Sequence, residues 1–126
     1  MRVLIVDDEP LARRRLVQLL TGRNDVTIVG EADGGREALK LVELLHPEVL
    51  LLDIEMPAVD GFAVLKGLPQ ASPPAIIFVT AFQDHAVTAF ELRATDFVVK
   101  PVRGDRLDQA LEQARLDLDA RRAGER

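Results

Sequence analysis

Val49 to Leu52 are four consecutive aliphatic residues, and the run stops on a carboxylate, Asp53, ahead of Ile54-Glu55-Met56-Pro57. A short unbroken apolar run reads as a strand buried on both faces. It therefore needs cover on two sides, which points to a parallel sheet between layers of helix. Asp53 sits where that strand leaves the sheet. Ligands bind at the carboxyl ends of parallel strands, but an Asp there also simply turns the chain. Taken alone, the turn is the better explanation of Asp53.

The same pattern recurs along the chain. Arg2 to Asp7 is an aliphatic run ending in carboxylates, Val26 to Ala32 a second strand, Val49 to Asp53 a third, Ala75 to Thr80 a fourth, and Asp96 to Val99 a fifth. Helical segments alternate with them. Pro10 suits a first helical turn, where its missing N–H costs little, and Leu11, Leu16, Leu19 and Leu20 follow before a stop at Gly22. Arg13, Arg14 and Arg15 read as a solvated face of that helix. Ala38, Leu41, Val42 and Leu45 mark a second helix that ends before Pro47. Asp60-Gly61 leads into a short one carrying Phe62, Val64, Leu65 and Leu68. Asp84 to Leu92 reads as a weak helix with Val87 and Phe90 on one side. Asp105 is a fair N-cap for the last, whose Leu107, Leu111, Ala114 and Leu118 form one face. Residues 121–126 read as a tail or the start of a linker after a domain of residues 1–120. Five strand–helix units with right-handed crossovers predict an α/β three-layer sandwich, (βα)5, with all strand ends on one edge.

Composition narrows the function. A length of 126 residues suits one domain. With no Cys there is no thiolate metal site or thiol nucleophile. Sixteen Lys and Arg against 21 Asp and Glu leave a net charge of -5, and Trp and Tyr are absent. Neither a basic footprint nor these stacking residues are available for nucleic acid, so no direct nucleic-acid contact is expected. No apolar run approaches the ~18 residues of a membrane span. The start leads straight into a strand, with no leader in view. A cytoplasmic protein without membrane contact is the expectation.

The predicted edge gathers Asp7, Asp8, Asp53, Thr80 and Lys100. Three carboxylates close together repel, and one is forced to hold a proton unless a cation lies among them. Oxygen-only ligands favour a hard ion, and Mg²⁺ suits best because it needs few protein ligands. Asp53 is then a candidate nucleophile toward a phosphoryl group. Lys100 is a point charge for phosphoryl oxygens, and Thr80 a hydroxyl donor to them.

In order and spacing, VLIVDDEP, LLLDIEMPAVDGF, FVTAF and DFVVKP resemble the receiver domain of two-component response regulators, over nearly the whole chain to about Val102. The resemblance implies a flavodoxin-like sheet of order 2-1-3-4-5. It implies that Asp53 is the phosphoacceptor, that Asp8 ligates metal directly and that Asp7 does so mainly through water. The Glu55 backbone carbonyl completes the metal site, and Thr80, the Ala81 backbone and Lys100 hold the phosphoryl group. Phe97 falls at the aromatic switch position that turns inward on activation, with Thr80 the other switch residue, and the Lys100–Pro101 bond is expected to be cis. A sensor histidine kinase is the implied partner, and a homodimer through the fourth helix, fifth strand and fifth helix is a family-based expectation.

VTAFQDHAVTAFELRATDFVVKPV further resembles the LytR/AlgR type of receiver, which usually precedes a LytTR DNA-binding domain. The chain is then either the receiver of a longer transcription regulator or a stand-alone receiver. Two other readings stay open. A Mg²⁺-dependent phosphohydrolase would use Asp53 as nucleophile, with Glu55 the nearest substitute for a second acid. An unphosphorylated flavodoxin-like interaction module would use the fold alone. His46 and His85, the only histidines, read as surface residues, and Phe62, Phe82 and Phe90 as packing residues, of which Phe82 or Phe90 could join a dimer face.

Overall fold

The computed structural model describes residues 1–124. Strands and helices alternate as β1 (Arg2–Val6), α1 (Pro10–Leu20), β2 (Thr27–Ala32), α2 (Gly35–Leu45), β3 (Val49–Leu52), α3 (Gly61–Gly67), β4 (Ala75–Thr80), α4 (Ala86–Glu91), β5 (Asp96–Val99) and α5 (Gly104–Gly124). The sheet is parallel throughout, in the order β2-β1-β3-β4-β5. The expected α/β architecture and strand order are those of the molecule.

β3 lies at the centre, and all four of its residues are buried. Alternation along the strands splits the core in two. Val3, Ile5, Leu51, Ile77 and Val98 face Leu16 and Leu20 of α1 and Leu107, Leu111, Ala114 and Leu118 of α5. Leu4, Val6, Leu50, Leu52, Phe78 and Phe97 face Ala38 and Val42 of α2, Val64 of α3 and Ala89 of α4. Val6 pairs with Leu52, Leu52 with Phe78, and Thr80 with Val99. This register brings the residues just beyond β1, β3, β4 and β5 to one edge.

Local chemistry sets the helices around that edge. The Asp60 carboxylate accepts a 2.8 Å bond from the Ala63 N–H and caps α3. Gly61 presses on the loop after β3. A Cβ there would overlap the Asp53 carbonyl oxygen and come within 2.8 Å of Ile54 Cα. Asp105, by contrast, is not a cap. α5 begins one residue earlier, and Asp105 lies in its first turn with its carboxylate on the Arg106 N–H.

The weak helix over Asp84–Leu92 is divided. Gln83–His85 form a 3-10 turn, and α4 is only six residues long. β-branched Val87 and Thr88 contribute little helix propensity, and Arg93, with φ 65°, ends the segment in the left-handed region. The expected packing side is also different: Val87 and Phe90 point to solvent, while Ala89 enters the core. The arginine cluster of α1 is more than a solvated face. Arg13 donates to the Asp7 carbonyl at 2.7 Å and Arg15 to the Val102 carbonyl at 3.0 Å. α5 continues through residues 121–124, where Arg121 donates to the Pro73 carbonyl and Arg122 pairs with Glu48. Residues 125–126 of the expected tail lie outside the described residues.

Candidate functional site

The edge is built from strand ends. The Asp7 N–H donates to the Ala32 carbonyl at 3.1 Å and the Asp53 N–H to the Val6 carbonyl at 3.0 Å, so both carboxylates leave the sheet under backbone control. Asp7 is 1 % exposed, Asp53 5 %, and Thr80 is fully buried. Carboxylate oxygens of Asp7, Asp8, Glu9 and Asp53 all lie within 4.8 Å of one another. Glu9 joins this cluster, a place that its position in the acidic run allowed but that only the fold of the β1–α1 loop reveals.

Among the described residues, Lys100 is the cation that pairs with these carboxylates. Lys100 Nζ donates to Asp7 Oδ2 at 2.7 Å and lies 3.5 Å from Asp53 Oδ2. Its nearer partner is thus Asp7. Asp53 Oδ1 accepts the Ile54 N–H at 2.8 Å, and Asp7 Oδ1 the Glu9 N–H at 2.9 Å. Burial, then the Asp7 charge, push the Asp53 carboxyl above its ordinary value; Lys100, the Thr80 hydroxyl and the Ile54 N–H oppose that rise. Burial works against the Lys100 ammonium, but its bond to Asp7 and the charges of Asp53, Asp7 and Glu9 raise its pKa overall.

A carboxylate cluster that one ammonium leaves short of positive charge fits a hard divalent ion. Its donors are oxygens only, and Asp53 ionises against resistance. Asp7, Asp8, Glu9 and Asp53 are the side chains that could hold such an ion. A hollow of about 510 Å³ opens beside them, bordered by Asp8, Glu55, Asp60, Phe62 and His85. A larger hollow of about 760 Å³, among Val42, Pro47, Pro73 and Leu118, lies at the opposite end of the strands, away from these groups.

The remaining sequence candidates lie in several places, some at this edge and some away from it. Thr80 ends β4, and its Oγ1 accepts the Phe82 N–H at 3.4 Å. Ala81 follows it, exposed. The Lys100–Pro101 peptide is cis. Phe97 is 7 % exposed, so the ring at the expected switch position already lies inside. Arg106 clamps its strand, donating through both nitrogens to Asp96 at 2.9 and 2.8 Å and to the Phe97 carbonyl at 2.9 Å. His46 is exposed, but His85 is not a free surface residue: it bonds Glu55 at 3.0 Å. Phe62 packs edge-on against Phe78 at 5.3 Å, whereas Phe82 and Phe90 are largely exposed. Among the described residues no helix is long and apolar enough to cross a membrane.

A family model described as the response regulator receiver domain matches residues 3–112. The transcriptional regulatory protein BtsR of Salmonella typhi is 45% identical over 116 residues, which cover 92% of this chain and 48% of that protein. The positive alginate biosynthesis regulatory protein of Pseudomonas aeruginosa is 49% identical over 117 residues, covering 90% of this chain and 47% of that protein. The chain thus spans about half the length of the curated relatives it matches. The response regulatory domain of protein mrkE from Klebsiella pneumoniae superposes with a TM-score of 0.85 at 36% identity, covering 95% of this chain and 99% of that one. A Borrelia burgdorferi CheX-CheY-BeF3-Mg+2 complex contains a chain with TM-score 0.80 and 26% identity, covering 88% of this chain and 86% of that one.

Proposed function

The chain belongs to the response regulator receiver family, and from that premise we propose that Asp53 is its phosphoacceptor. The observation that carries this is the pairing of a nearly buried Asp53 with Asp7 and with Lys100, whose ammonium reaches both carboxylates. A donor phosphohistidine on a sensor histidine kinase supplies the phosphoryl group. An Asp53 oxygen forms the new O–P bond, the N–P bond to the imidazole breaks, and the imidazole leaves with the electron pair.

Asp7, Asp8, Asp53 and the Glu55 backbone carbonyl would hold Mg²⁺. When bound, the ion supplies charge neutralisation and orientation of the phosphoryl oxygens. Lys100 turns from Asp7 toward those oxygens, and the Thr80 hydroxyl and the Ala81 N–H donate to them. Slow loss of the group proceeds by water attack at phosphorus, which returns the Asp53 carboxylate and inorganic phosphate. This turnover is self-limiting and needs no organic substrate.

The output is a population shift. Thr80 turning toward the phosphoryl group moves the β4–α4 turn, with Phe97 beneath it. Phe97 is already buried, so the turn travels further than the ring. Val87 and Phe90 on α4, Leu92 just after it and Val99 on β5 leave apolar surface, which suits a homodimer formed in the phosphorylated state. Residues 1–120 form the receiver, and 121–126 lead toward a DNA-binding output domain in a cytoplasmic transcription regulator. The lengths of the regulators it resembles support that reading.

The phosphohydrolase alternative is weaker because the Glu55 carboxylate is engaged by His85. The unphosphorylated module leaves the buried Asp7 and Asp53 carboxylates, side by side, without a purpose. Incubation with acetyl phosphate and Mg²⁺, read by intact mass, separates the three. One phosphoryl adduct that disappears in Asp53→Asn is expected. Steady hydrolysis of an organic phosphate ester would favour the enzyme, and no adduct the passive module.

A further inference from the structure

Two loops beside Asp53 are joined by a contact that phosphoryl acceptance does not itself require. His85 closes the 3-10 turn, and its Nε2 lies 3.0 Å from Glu55 Oε1, two residues past Asp53. A carboxylate only accepts, so Nε2 carries the hydrogen and donates it. The ring is steadied by Phe62 and Phe82, edge-on at 5.6 and 6.3 Å. Its side chain is 29% exposed. Both bonded groups border the hollow that also contains Asp8.

The contact connects to Thr80. The Phe82 N–H that holds Thr80 Oγ1 belongs to the residue opening the same turn. A displacement of Thr80 toward Asp53 is therefore passed through Phe82 to His85. Glu55 lies on a separate loop, after β3. We propose that His85 is a positioning residue whose bond to Glu55 latches the β4–α4 turn in the unphosphorylated arrangement and is released when a phosphoryl group engages Thr80. The latch rests on the phosphoacceptor reading of Asp53.

A bond made in only one of two states shifts their balance by its own free energy. One partly exposed hydrogen bond to a charged group changes such a ratio about three- to tenfold. Removing the latch therefore tightens binding of a phosphoryl mimic, whereas a merely damaged site would bind it less well.

The probe is beryllium fluoride with Mg²⁺, titrated into the whole chain and followed by calorimetry. His85→Phe keeps the ring against Phe62 but removes the donor, and Glu55→Ala removes the acceptor while leaving the backbone carbonyl. Each should bind the mimic about three- to tenfold more tightly than the wild type. The double variant should gain no more than either single one, because both remove the same bond. In the wild type, the His85 ring nitrogen signals should shift when the mimic binds and stay fixed with Mg²⁺ alone. Unchanged or weaker binding in His85→Phe, or additive gains in the double variant, would overturn the latch while leaving the phosphoacceptor site intact. Absence of mimic binding by the wild type would overturn both.

Discussion

Asp53, just past β3, and Asp96, on β5, show how two carboxylates of one sheet acquire opposite roles. Asp53 is buried beside another carboxylate, and its pKa is raised above 3.8. Its ionisation is thus harder in the folded chain, and stability falls as pH rises from the unfolded value through the folded one. In metal-free buffer at neutral pH, Asp53→Asn should melt higher than the wild type. A gain of ~1 kcal/mol corresponds to roughly 3–5 °C in a domain of this size. The difference should close in acid, and also when Mg²⁺ is added to the wild type. Circular dichroism is the suitable probe, since the chain lacks Trp and Tyr; a lower melting temperature for Asp53→Asn would contradict the charge argument. Burial also works against Asp96, but the Arg106 hydrogen bonds, the Phe97 N–H and the Arg106 charge outweigh it and hold its carboxyl below 3.8. That stabilisation is present above pH 3.8 and is lost as pH falls through the lower folded value. Asp96→Asn should therefore destabilise the chain most at neutral pH, with the gap to wild type narrowing in acid melts. A gap constant with pH would assign the effect to shape instead of charge.

Among the elements, α3 depends on its approach to the Asp53 loop. Gly61 donates its N–H to the Ile54 carbonyl at 2.8 Å, and no side chain fits between it and Asp53. Gly61→Ala should cost roughly 2 kcal/mol or more through overpacking and displace Asp53. Denaturant unfolding measures the first effect and Mg²⁺ affinity the second; an alanine variant equal to wild type in both would refute the close approach. Element types were legible because apolar runs of four to six residues alternate with helical spacing, and Asp7, Asp53, Thr80 and Lys100 stood out as polar ends of those runs. α4 was misread for a physical reason. In six residues Val87 and Phe90 imitate a core face, yet β5 lies under Ala89. The Arg106–Asp96 clamp, the Arg13 bond to the Asp7 carbonyl and the His85–Glu55 contact were not legible. Each depends on a rotamer meeting a partner whose position the tertiary fold decides.

For the whole molecule, the proposed role requires a charge placed at the acidic edge to be felt on the α4–β5 surface that adjoins it. Val87 and Phe90 are mostly exposed. Phe90→Glu should leave stability within ~0.5 kcal/mol and block phosphorylation-dependent dimerisation. Sedimentation after acetyl phosphate treatment checks this, and an undiminished dimer would place the interface elsewhere. This dimerisation presupposes an acyl phosphate on one carboxylate. The most direct measurement is reduction of the phosphorylated chain with borohydride, which converts an aspartyl phosphate to homoserine, followed by peptide mass spectrometry. Homoserine at position 53 alone, dependent on both acetyl phosphate and Mg²⁺, is the predicted result; homoserine at Asp7 or Asp8, or none at all, would contradict the account.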